Sequence, residues 1–112
     1  MAILIIDGHT VTVSLSAMER LEALHGDVTV LRSAVTQARA VSDGMAEVHG
    51  VRALGTSLPG VTLVGTWRTR AGATFAVCHG RKPAIVIDLD GAQFDRLVVT
   101  VGDTEHILRS LA

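Results

Sequence analysis

From Ala2 to Leu15 the chain alternates around a single Asp7-Gly8 step. Asp-Gly between alternating apolar runs predicts a hairpin, because a type I′ turn needs positive φ at both central positions. That register sets Ile6 opposite His9, Leu4 opposite Val11 and Ala2 opposite Val13 on one face. Ile3, Ile5, Thr10 and Thr12 fall on the other, a mixed face that predicts partial cover. Ser16-Ala17-Met18-Glu19 then matches a capping box, with Met18, Leu21, Leu24 and His25 at helical spacing and Gly26 as a stop. A helix is predicted over 17–25. Val28 to Leu31 and Val35 to Val41 read as two strand pieces, or as one long strand bent near Ser33-Ala34.

Residues 42–60 carry four glycines and one proline without lasting periodicity, and are predicted as a long connection with one helical turn around Met45 to Val48. Alternation resumes at Val61. Val61, Leu63 and Trp67 share one face, and Thr62, Thr66, Arg68 and Arg70 the other. With Phe75 and Val77 as the core-facing pair of the next strand, a three-residue Ala71-Gly72-Ala73 turn sets Val77 opposite Trp67. Gly80-Arg81-Lys82 turns into Pro83; Ile85, Ile87 and Leu89 form another inward row. After Asp90-Gly91-Ala92-Gln93, Leu97, Val99 and Val101 form the last row. Asp103 caps a closing helix over 104–111, with Ile107, Leu108 and Leu111 inward. The pattern is mainly β with α, a single domain over 1–112. About seven antiparallel strands are expected, as a small barrel or roll, or as two packed sheets.

Composition narrows the function classes. In 112 residues, ten Lys and Arg against eleven Asp and Glu leave a net charge of −1, without the basic face of a nucleic-acid binder. The start, Met1 to Ile6, lacks a cationic n-region and reaches Asp7-Gly8 too soon for a signal peptide, and one Cys fits a reducing compartment. A cytoplasmic location is expected.

The stretch Gly50-Val51-Arg52-Ala53-Leu54-Gly55-Thr56-Ser57-Leu58-Pro59-Gly60, followed by Gly65-Thr66-Trp67-Arg68, resembles small actinobacterial proteins classed with the bacterial PH-like domains. Phe75, Pro83-Ala84-Ile85-Val86-Ile87-Asp88-Leu89, Phe94-Asp95-Arg96-Leu97-Val98-Val99 and Asp103 continue the likeness, which covers roughly residues 50–111. The resemblance implies a strongly bent antiparallel barrel closed at one end by the C-terminal helix. It brings no catalytic residues.

Five groups of residues carry candidate chemistry. Cys78 and His79 are neighbours on a strand and point to opposite faces, so they do not form a dyad. The five histidines show no i, i+4 pair and only one Cys accompanies them, so neither metal nor cofactor is expected. Asp88 and Asp90 share one face of a strand end, and Asp95 follows; they read as turn formers. Glu47, His49, Arg52 and Thr56 are the polar residues that line a cleft for a small ligand, if residues 42–60 form one. Arg68, Arg70, Arg81 and Lys82 compose a modest anion or lipid-headgroup site, although cross-strand acids neutralise them in the simpler reading. Membrane-surface contact is therefore not favoured. The largest signal is apolar. Ile3, Ile5, Ala76, Cys78, Ala84, Val86 and Val98 lie opposite the predicted core rows, either covered internally or forming an interface with a second copy or a protein partner. The expected function is accordingly a non-enzymatic binding or assembly module.

Overall fold

The computed structural model describes all 112 residues. Strands β1 (Ile3–Ile6) and β2 (Thr10–Ser14) form the expected hairpin, but Ile6 faces Val11 and Leu4 faces Val13. The two-residue Asp7-Gly8 turn gives way to a wider loop. Asp7 Oδ1 accepts the amides of both His9 and Thr10 at 2.7 Å, so the aspartate side chain replaces its own carbonyl as the closing acceptor. Widening the loop shifts the pairing by two residues and therefore preserves the faces. Leu4, Val11 and Val13 still point together into the core.

Helix α1 (Ala17–Ala23) starts on the predicted capping box, with Glu19 N bonding Ser16 Oγ at 3.2 Å and Ser16 N bonding Glu19 Oε1 at 2.9 Å. It stops at Leu24, which takes the left-handed conformation (φ 53°), two residues short of the expected end. Its buried residues are Glu19 and Ala23, and Met18, Leu21 and Leu24 face outward. The chain continues as β3 (Val28–Leu31), a 3-10 turn at Arg32–Ala34, and β4 (Val35–Val41). The bend near Ser33-Ala34 carries the chain from one sheet to another, since β1, β2 and β3 form a three-stranded sheet and β4 enters a six-stranded one.

That second sheet also contains β5 (Val51–Leu58), β6 (Thr62–Thr69), β7 (Gly72–His79), β8 (Ala84–Leu89) and β9 (Arg96–Thr100), in the order β4-β8-β9-β7-β6-β5. The count is nine strands in two sheets that do not close into a barrel, in place of about seven. Strand β5 is the largest departure from the sequence pattern. Gly55 sits directly opposite Gly65, and a Cβ on either would approach the other's Cα to 2.7 Å. Gly55, which read as loop, thus forms a close strand pair with Gly65. The antiparallel expectation also fails at one place: β9 folds back from β8 and slots between β8 and β7, running parallel to β7.

Thr69 pairs with Gly72, so the β6–β7 turn is Arg70-Ala71, not the three-residue turn. Phe75 then lies opposite Thr66 and Val77 opposite Val64. This register places Val64, Phe75, Val77, Ile85, Ile87, Leu97 and Val99 on the face that packs against the three-stranded sheet. Leu63 and Trp67 move to the reverse face with Ala76, Cys78, Ala84, Val86 and Val98. Helix α2 (Thr104–Leu111) begins at Asp103, whose carboxylate accepts the His106 amide at 3.1 Å; Ile107, Leu108 and Leu111 turn toward the main core as expected. No helix is long and apolar enough to cross a membrane.

Candidate functional site

The reverse face of the large sheet is a second core. Ala76, Cys78, Ala84, Val86 and Val98 have no exposure at all, so they form no outer patch. A 3-10 turn at Gly44–Glu47 lays Met45 over them. The turn lies so close that a Cβ on Gly44 would meet Ala84 Cβ at 2.6 Å, and Gly44 N bonds Lys82 O at 3.0 Å. Two ion pairs pin it at either end: Asp43 with Arg81 at 2.9 Å, and Glu47 with Arg39. Burial pushes the Cys78 thiol up to about 12, against a hydrogen bond with Thr100 that acts the other way. The thiolate needed for nucleophilic chemistry is therefore suppressed. As the strand alternation requires, His79 points to the opposite side, where Nε2 lies 2.6 Å from Glu19 Oε2.

A cleft of about 440 Å³ beside this cover does bring Glu47 and His49 together, with Thr74, Asp88, Asp95 and Arg96. Its acidic groups already have partners. Arg96 Nε donates to Asp88 Oδ1 at 2.7 Å, Asp95 Oδ2 accepts the Ala73 amide at 2.8 Å, and Glu47 holds Arg39. Arg52 and Thr56 are not part of it. Thr56 donates its hydroxyl to Glu22 O at 2.9 Å, tying β5 to α1, and Arg52 is exposed on the sheet edge. The predicted ligand set thus divides into Glu47, ion-paired with Arg39, and His49 on the cleft, and two residues of the edge strand.

The anion set divides as well. Thr62 pairs with His79 at one end of the β6–β7 hairpin and Thr69 with Gly72 at the other. Arg68 and Arg70 therefore stand a whole strand length from Arg81 and Lys82, roughly 20 Å at the usual rise per residue. Arg81 is already paired with Asp43.

What remains open is a groove of about 510 Å³ between β1 and α2, lined by Ala2 to Ile6 together with Val101, Asp103, His106, Ile107 and Ser110. Ile3 and Ile5, the exposed members of the predicted interface set, stand on it. Strand β1 is an outer strand of its sheet, with β2 on one side only. The bond from Asp7 N to Thr10 O fixes the ladder phase. Antiparallel pairs alternate between bonded and non-bonded, so Ile5 with Thr12 and Ile3 with Ser14 exchange the bonds to β2. The N–H and C=O of Leu4 and Ile6 consequently point away from β2. Arg32 sets the orientation of the other wall: it donates to Asp7 O at 3.0 Å and to Ser110 O at 2.9 Å, bringing the end of α2 beside the end of β1. Asp103 therefore marks the Ala2 end of the groove. The alternation of Ile3 and Ile5 was readable in the sequence, but the groove was not, because its second wall comes from a helix a hundred residues later.

No protein-family model, curated protein or solved structure matches the chain.

Proposed function

We propose that this protein is a non-enzymatic binding module that captures an extended segment of a partner protein along β1. The observation that carries the reading is the groove between that unpaired strand edge and α2, apolar on most of its lining. A strand added to an open edge gains main-chain hydrogen bonds, here with Leu4 and Ile6, while side-chain pockets read alternate residues. Ile3, Ile5 and Ile107 offer such apolar surface, and Asp103 contributes a carboxylate at the Ala2 end. The matching segment has alternating aliphatic residues and a basic residue next to Asp103. The closing helix and the β5-β6-β7 meander are the features that support kinship with the PH-like domains, a kinship of fold and not of activity.

Selection from a displayed random-peptide library, followed by amide chemical-shift mapping, tests the proposal. Selected peptides are expected to shift Leu4 and Ile6 and to lose binding in Ile6→Pro. That change removes one outward N–H while sparing the ladder to β2, as proline on an edge strand permits. Selected peptides that map elsewhere, or that bind Ile6→Pro unchanged, overturn it.

A further inference from the structure

The opposite end of the molecule carries a second open edge. Strand β5 is the last strand of the six-stranded sheet, and only β6 pairs with it. Natural edge strands are blunted by charged residues, proline or a covering element. Leu54-Gly55-Thr56-Ser57-Leu58 contains no charge and no proline, and a register shift between Arg52 and Leu54 confines the regular edge to these five residues.

Helix α1 runs alongside this edge. Glu19 reaches His79, which pairs with Thr62; Glu22 O receives the Thr56 hydroxyl; His25 shares a surface depression with Leu54. Helix and strand are therefore antiparallel neighbours; Met18, Leu21 and Leu24 are exposed on the helix, and Leu54, Leu58 and Val61 on the strand and its turn. These six residues are between 41% and 69% exposed. Monomers seldom expose contiguous apolar patches above a few hundred Å². Their exposed surface amounts to several hundred Å² per copy, which sets an upper bound near the roughly 1,200 Å² at which specific interfaces begin.

We infer that this surface is a two-fold interface with a second copy of the chain, formed by antiparallel pairing of β5 with β5 about Thr56. The patch is self-complementary in the way such an axis requires. Leu54 and Leu58 are equidistant from Thr56, so each meets the other's counterpart across the axis. Met18 and Leu24 are likewise equidistant from Leu21, which neighbours the Glu22–Thr56 contact. An axis perpendicular to the sheet keeps both α1 helices on the same side, flanking the axis. The result is a continuous twelve-stranded sheet, with the two β1 grooves left open at its far sides.

Native mass spectrometry and sedimentation velocity across a concentration series test this. Wild type is expected as a dimer, and Leu58→Glu as a folded monomer with an unchanged far-ultraviolet circular dichroism spectrum, since Leu58 is exposed; its Tm falls only by the stability that association contributes. Combining Leu58→Glu with Leu54→Lys places opposite charges across the axis twice and restores the dimer. A wild-type monomer at every concentration overturns the inference. So does a dimer that survives Leu58→Glu, or a double variant that stays monomeric. Peptide capture at β1 is read independently, because Leu58 lies in the other sheet.

Discussion

Glu19 joins three parts of the chain with one carboxylate, and replacing it with alanine has a calculable cost. The residue is 2% exposed. Oε1 accepts the Ser16 amide at 2.9 Å, completing the cap of α1, and Oε2 meets His79 Nε2 at 2.6 Å, anchoring the helix to β7. Loss of a cap costs about 0.5–2 kcal/mol, and a hydrogen bond to a charged group is worth about 1.5–3 kcal/mol. Glu19→Ala is therefore expected to destabilise by about 2–5 kcal/mol, lowering Tm by roughly 8–20 °C in a domain of this size. The pH dependence separates charge from shape. Burial alone would raise the Glu19 pKa, but the Ser16 amide, His79, the Ser16 hydroxyl and the N-terminal amine together hold it below the ordinary 4.5. A depressed carboxyl stabilises the fold fully above its unfolded value and loses that contribution as pH falls through the folded one. Urea unfolding of wild type and Glu19→Gln should show a stability gap at pH 7 that shrinks steadily below pH 4.5. A gap equally large at pH 3 would refute the assignment of the stabilisation to the ionised carboxylate.

Cys78, buried with its pKa pushed up to about 12, is expected to resist thiol reagents at pH 8 in the folded protein and to react fully in denaturant; fast labelling of the native state would contradict the burial. Met45→Ala removes the side chain lying over the second core, and should cost about 2–5 kcal/mol in urea unfolding and accelerate Cys78 labelling at least tenfold. Gly44→Ala forces a methyl to within 2.6 Å of Ala84, with an expected loss of about 1–3 kcal/mol; a wild-type Tm would show that the 3-10 turn shifts without cost.

Local signals were legible where chemistry within a few residues decided the outcome. Ser16 with Glu19, and Asp103 before the last helix, specify helix starts through side chains that reach only three positions along the chain. The inward rows of β8 and β9 followed from simple alternation. What escaped was the second buried face. In a sheet covered on both sides every position is apolar, and alternation no longer says which row meets which core. Thr66 opposite Phe75 disguised the register of β6, and Gly55 opposite Gly65 disguised β5 altogether. The direction of the leucines of α1 was out of reach for a related reason: helical spacing reports a stripe, and only tertiary packing says whether the stripe points in or out. The candidate groove lay beyond local reasoning, since Ile3 and Ile107 meet only after both sheets have formed.

The central place of β9 has a consequence for how the chain is made. During vectorial synthesis, residues 51–79 emerge as a three-stranded meander and residues 84–89 find β4, yet these two halves share no ladder until residues 96–100 arrive between them. Until then both β7 and β8 present raw edges, the condition under which nascent chains cross-pair. Strand β9 works as a keystone: the large sheet becomes continuous only once that one short strand lies between β8 and β7.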